Sequence, residues 1–322
     1  MPRSKDEGGL DTNRGSGFWL QQSIIKEIRK KGVASMANFP RSSIGGLSVS
    51  RMIIGTNWFL GYCHDTKAKE EFITRHVTNR ESIAAIIEVF LRAGVDTIMT
   101  PWQRNPQFDI LHDAIASAED RAGVKAIKIG TPSFPVTPAT VAEGWDLGEV
   151  ERILDQQLSL GTSICMPHTE TTDAMVDIPS RSLRRLDEIC RLIRERGMIP
   201  GLSTHMPEAI VYADETGLDV ETYIALYNAA GYLMHLEVDW TARLIWRARK
   251  PVITIKPLAA GQIRAFQGLA FVWSTIRAQD LVTVGTSSPE EAAECIELSL
   301  GILERRLAEI ELQKTRSKAS VI

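Results

Sequence analysis

Eight short runs of apolar and β-branched residues punctuate the chain, each bounded by Gly, Pro or polar residues. They are RMIIGTN (51–57), VDTIMT (95–100), KAIKIGT (125–131), TSICMPH (162–168), MIPGLSTH (198–205), TYIALYN (222–228), PVITIKP (251–257) and LVTVGTS (281–287). Near-continuous apolarity, rather than alternation, predicts parallel strands buried on both faces. Between the runs, apolar residues recur every three to four positions, the period of an amphipathic helix. In SRSLRRLDEICRLIRERG (180–197), Leu183, Leu186, Ile189, Cys190 and Ile193 share one face, and Gly197 stands where a helix stops. Comparable helices are expected over 81–93, 147–160, 241–250 and 289–302. Strand then helix, eight times over about 250 residues, predicts a (β/α)8 TIM barrel. The segment SSIGGLSVS (42–50) predicts an N-terminal hairpin before the first barrel strand. A doubly wound sheet would need a glycine-rich phosphate turn after the first strand, and RMIIGTNWFLGYCHD carries no GxGxxG.

The two ends read differently. Residues 1–17, MPRSKDEGGLDTNRGSG, are polar and Gly-rich, the composition of a disordered segment. Met36 opens MANFPRSS and is expected to be the natural start, which makes residues 1–35 disordered or the product of an over-long reading frame. The barrel is expected over 36–308, with 309–322 as a polar C-terminal tail. A chain of 322 residues with net charge -3 and 44% hydrophobic residues is ordinary globular material. Its slight acidity and lack of long basic runs argue against nucleic acid or an anionic membrane as partner. No apolar run approaches the roughly 20 residues of a membrane span, and no signal peptide is recognisable at the N-terminus. Cys63, Cys165, Cys190 and Cys295 are scattered without CxxC spacing, which suits a reduced, cytoplasmic chain. A small-molecule substrate is the expected partner. The oligomeric state is not readable from the chain.

Barrel enzymes assemble their sites at the C-terminal strand ends. Those ends collect Asn57, Trp58, Tyr62 and His64; Trp102 and Gln103; His168 and Glu170; His205; Asn228; Lys256; and Gly285, Thr286 and Ser287. His168 and His205 fall on consecutive strands and should meet across one rim, where mutual repulsion would separate their pKa values into an acid and a base. The bland alternative for either is a satisfied interior histidine. Lys256 ends an otherwise apolar strand, where desolvation suits it as a base, an enolate stabiliser or a Schiff-base nucleophile; a lysine snorkelling to water is the plain reading. His64, His168 and His205, with Glu170 or Glu208, offer nitrogen and oxygen ligands for a divalent metal, although no HxH or HExxH spacing backs that set. Gly285, Thr286 and Ser287 precede a helix N-terminus that could bind a phosphate or carboxylate, or simply be capped by Glu290 and Glu291. Trp58, Tyr62, Trp102, Asn57, Gln103 and Asn228 supply rings and amides for a polar, sugar-like substrate.

Several of these runs, in order and at sensible spacing, resemble the aldo-keto reductase superfamily. They are IGGLSVSRMIIGT for the entry hairpin and first strand, FLRAGVDTIMT for the first helix and second strand, GLSTH and IALYN for strands five and six, ITIKPLAAGQI for strand seven, and VGTSSPEEAAECIE for strand eight and its helix. The resemblance covers about 43–300 and implies the barrel, and it places His168 on the family's catalytic histidine. The rest of that tetrad is not matched. The aspartate position reads Met99, the tyrosine position falls on Trp102, Gln103 or Arg104, and the lysine position lies near Gly130 or Thr131, with Lys128 too early. At the implied nicotinamide site Ser203 persists, while the glutamine position is Ile224 and the stacking tyrosine is Ile255. Without a phenol to protonate a carbonyl, NADP-dependent reduction is not expected. A non-redox enzyme, a lyase, isomerase or epimerase removing a proton next to a carbonyl, is the favoured expectation, with His168, His205, Lys256 and Glu170 as its catalytic groups. An atypical NADP-dependent oxidoreductase using Tyr62 or His168 as acid, and a non-catalytic binding or regulatory barrel, are the alternatives.

Overall fold

A computed structural model describes residues 39–101, 106–313 and 318. The reading of 1–35 as an extension therefore lies outside the described residues, as do Trp102 and Gln103. The chain enters through a hairpin, β1 (Arg41–Ile44) and β2 (Leu47–Ser50), paired antiparallel with Ile44 opposite Leu47. Both turn residues, Gly45 and Gly46, have positive φ (55° and 84°), the requirement of a type I′ turn and the reason Gly-Gly stands there. Ile44 and Val49 are fully buried against the barrel interior, so the hairpin closes the end opposite the strand C-termini.

All eight expected strands are present, each one to three residues shorter at its ends than the apolar run that announces it. They are β3 (Met52–Gly55), β4 (Thr97–Thr100), β5 (Ile127–Gly130), β6 (Thr162–Cys165), the pair β9 (Ile199–Pro200) and β10 (Leu202–Ser203), β11 (Tyr223–Leu226), β12 (Val252–Ile255) and β13 (Leu281–Val284). Every pairing among them is parallel, in the order β10-β11-β12-β13-β3-β4-β5-β6-β9. The two terminal members of that order are halves of one strand, separated by Gly201. Its N–H donates to the Cys165 carbonyl at 3.2 Å, and the next N–H, Leu202, donates to Thr222 on the other side at 3.1 Å. The sheet thus closes on itself as a (β/α)8 barrel with an N-terminal hairpin. A Cβ on Gly201 would stand 2.8 Å from Met166 and 2.9 Å from Thr222, so the closing seam accepts no side chain there.

The layers follow the strand alternation. Ile53, Ile129, Ile164, Met166, Ile224, Ile253 and Leu281 fill the barrel, while their neighbours Ile54, Cys165, Leu202, Tyr223, Val252 and Val282 face the helices. The expected helices appear as Arg80–Arg92, Leu147–Ser159, Leu186–Glu195, Val238–Arg247 and Pro289–Leu303. One begins later than its pattern suggests. In 180–197 the helix starts at Leu186, because β8 (Ser182–Leu183) pairs antiparallel with β7 (Val176–Asp177), and Arg181 and Arg185 take left-handed φ of 49° and 54°. Leu183 is buried as expected, but from a strand. Among the described residues no helix is long and apolar enough to cross a membrane, and all four cysteines are free.

Candidate active site

A cavity of about 510 Å³ opens at the C-terminal ends of the strands. Its floor is made by one inward position from each strand: Gly55, Met99, Thr131, His168, Ser203, Ile224, Ile255 and Thr283. Alternation explains why. His168 follows Ile164 and Met166 on the interior side of its strand. His205 follows Gly201 and Ser203, while Thr204 between them turns outward. Both histidines line the cavity, as do Asn57, Trp58, His64, Glu170, Lys256 and Gly285.

Lys256 reaches the cavity by a different route. On β12 the even positions 252 and 254 face the helices, so an extended residue 256 would do the same. Its φ is +59°, and the three residues from Ala259 to Gly261 are also left-handed. Such a conformation costs a non-glycine residue roughly 1–2 kcal/mol. Here it breaks the alternation and turns a lysine into the site. Its charge is felt by His64 and His205, and burial pulls its own pKa below the usual lysine value.

The histidines are held as neutral rings. Burial, then the Lys256 charge, brings His205 down to about 4, with His168 and His235 adding to the effect and Asp173 opposing it. Burial also lowers His168, against the attraction of Glu170 and Asp173. His168 caps the short helix Thr169–Ala174: the Glu170 N–H donates to its Nδ1 at 3.4 Å. That contact makes Nδ1 the acceptor and leaves the proton of the neutral ring on Nε2. Glu170 stands at the rim, 76% exposed, with one oxygen 3.9 Å from His168 and accepting from the Ser133 hydroxyl at 3.3 Å.

Asp173 is a residue that the strand-end reading does not reach. Its carboxylate accepts from the Thr169 hydroxyl at 2.8 Å, from the His205 N–H at 3.1 Å and from the Thr204 hydroxyl. It ties the exit of strand five to the helix that follows His168, and so sets where His205 stands. Nothing local marks it as part of the site, because Thr204 and His205 lie more than 30 positions away. Thr283 was legible: it shares the inward parity of Leu281 in LVTVGTS. Its hydroxyl is buried and finds no partner among the described residues.

Other expectations are corrected. Asn228 is fully buried and does not line the cavity; its amide donates to the Tyr232 carbonyl and accepts from the Ala230 and Tyr232 N–H groups, so it builds the following turn. Tyr62 is 49% exposed and does not line the cavity. Ser287 is not free for an anion, since its N–H and hydroxyl both donate to Glu291 at 2.8 Å, and the Ser288 hydroxyl caps the helix. Thr286 is buried, its hydroxyl has no partner among the described residues, and it does not line the cavity. Lys128 points outward and donates to the Leu160 carbonyl at 3.0 Å. Among the described residues no three His, Cys, Asp or Glu side chains are grouped as a metal site requires, so His64, His168 and His205 share a cavity without forming a ligand cluster. Two contacts brace the mouth: the Lys69 ammonium stands 5.0 Å over the Trp58 ring, and the Tyr232 hydroxyl donates to the His64 carbonyl.

No protein-family model and no curated protein matches the sequence. Among solved structures, two of a Pseudomonas aeruginosa protein proposed to be an aldo-keto reductase share the fold, with TM-scores of 0.56 and 0.57. Identity is 16% and 15%; each match covers 84% of this chain and 99% of the other. The chain therefore has an aldo-keto-reductase-like barrel.

Proposed function

We propose that this barrel is a non-redox enzyme that removes a proton from the carbon next to a carbonyl, in a lyase, isomerase or epimerase type of reaction. One observation carries the reading: two neutral imidazoles from adjacent strands and an unneutralised lysine converge on one cavity. His205 is the acceptor of the carbon-bound proton. As the C–H bond breaks, its electron pair moves onto the carbonyl oxygen, which becomes an enolate. His168, with its proton on Nε2, donates a hydrogen bond to that oxygen, and the Lys256 ammonium offsets its charge. Return of the proton from the His205 imidazolium to the neighbouring carbon gives an isomer, and loss of a leaving group from that carbon, with the proton kept on His205, gives a lyase product. The cavity volume suits a small polar substrate, with Asn57 and Trp58 beside it.

The same residues do not fit a nicotinamide dinucleotide. Ile255 and Ile224 stand in the cavity where a stacking ring and an amide are wanted, and Glu291 occupies the donors of Ser287 that a phosphate would use. By the resemblance, Met99 takes the position of the reductase aspartate and Gly130 or Thr131 that of the lysine, and among the described residues no tyrosine lines the cavity. The open cavity also disfavours a purely structural barrel.

The test is solvent deuterium exchange into small ketones and aldoses, followed by NMR. Enzyme-dependent exchange that falls at least 100-fold in His205→Gln, on the scale of general acid–base catalysis, supports the reading. Absence of exchange across the panel, together with tight NADPH binding by fluorescence, would replace it with the oxidoreductase alternative.

A further inference from the structure

Lys256 and Thr283 both line the cavity, from the ends of neighbouring strands. Thr254 pairs with Val282, so one residue further along β12 and β13 brings Ile255 level with Thr283, and Lys256 follows at once. The ammonium has no carboxylate within ion-pair distance among the described residues. Of the nearby acids, Glu170 lies out at the rim, and the Asp173 oxygens already accept from Thr169, Thr204 and His205. The groups that do face Lys256 are His64 and His205, both neutral rings that cannot compensate its charge. Thr283, 7% exposed, carries a hydroxyl without a partner. A half-buried cation without a counter-charge and a buried hydroxyl without an acceptor are both groups that a bound anion would satisfy. The left-handed backbone at Lys256 serves to deliver the charge into the cavity.

We infer that the substrate carries a carboxylate next to its carbonyl, held by the Lys256 ammonium and the Thr283 hydroxyl: a small oxo acid. This deepens the proton-abstraction reading of the same cavity and rests on it for the reaction, though not for the binding. A carboxylate fits better than a phosphate. One cation and one hydroxyl match a monoanion, Glu170 at the rim disfavours further negative charge, and the helix N-terminus that could take a phosphate is filled by Glu291. In an oxo acid the carboxylate and the carbonyl oxygen are on neighbouring carbons, so one ammonium spans both. The charge that binds the acid then also stabilises the enolate formed from it. Neutralising Lys256 in this way removes part of the repulsion that holds the His205 ring unprotonated, so the bound acid makes its own base stronger.

Calorimetric titration of the full chain with pyruvate, 2-oxobutyrate and glyoxylate, against butanone, acetol and inorganic phosphate, tests the inference. The acids are expected to bind at least tenfold more tightly than the neutral carbonyls and than phosphate, less so at high salt. Lys256→Met should abolish that preference. Lys256→Gly, which relieves the left-handed strain and so guards against misfolding, should do the same, and Thr283→Val should weaken the acids roughly two- to tenfold. Acids binding no better than the neutral carbonyls, or equally well to both Lys256 variants, would overturn it. The two readings fail separately. Tight acid binding without deuterium exchange keeps the subsite and removes the proposed reaction; exchange into neutral ketones that ignores Lys256 does the reverse.

Discussion

At the scale of single residues, the site is shaped by what is kept uncharged. His205 is lowered from 6.5 to about 4 by burial and by Lys256, and His168 shifts the same way. A histidine whose folded pKa lies below its unfolded one leaves stability intact above about 6.5. Stability then falls as the pH drops toward 4, because the unfolded chain takes up the proton first. The slope from one such group is at most about 1.4 kcal/mol per pH unit. Urea unfolding at pH 7.5, 5.5 and 4.5 should show this loss, and His205→Gln should flatten it; an unchanged slope in the variant would show that His205 is not held neutral. The residues themselves were legible from the strand ends, since His168, His205 and Lys256 all close apolar runs. Their charge states were not, because burial and the distance to Lys256 are properties of the assembled rim.

At the scale of elements, the rim is held by links between a strand exit and the next helix. Asp173 gathers three donors from Thr169, Thr204 and His205. Asp173→Ala leaves the His205 N–H without its acceptor, while the Thr204 hydroxyl still reaches the Met206 carbonyl at 3.0 Å, and should cost roughly 1–3 kcal/mol. Any exchange activity should fall further than that of Asp173→Asn, which keeps one acceptor oxygen. Denaturation curves and the deuterium assay on both variants check this, and equal activity in the two would show that Asp173 does not position His205. The element pattern was readable wherever an apolar face ran long, as in Leu147–Ser159. It failed at 180–185, where an apolar Leu183 fits a helix by period but a two-residue strand pairing takes it instead.

At the scale of the whole molecule, closure decides whether there is a site at all. The barrel shuts through one strand broken at Gly201, where Met166 and Thr222 leave no room for a Cβ. Gly201→Ala should therefore destabilise the barrel by roughly 1–3 kcal/mol, the usual penalty of overpacking. Its thermal midpoint measures this; a midpoint equal to wild type would show that the seam yields without cost.

The sequence by itself determined the barrel, its hairpin and the ring of strand ends, because buried parallel strands and amphipathic helices write their periods directly into the chain. It also set the residue identities at the strand ends, Met99 and Gly130 or Thr131 among them, which the resemblance alone compares with a reductase's aspartate and lysine. Only the tertiary structure decided which strand-end residues share a cavity. Asn228 and Ser287 spend their polar groups on their own turns, Tyr62 stands outside, and Lys256 is brought in by a backbone angle that no periodicity encodes. Identity and period are local properties of a chain. Hydrogen-bond satisfaction and the direction of a side chain depend on partners that only the folded barrel brings near.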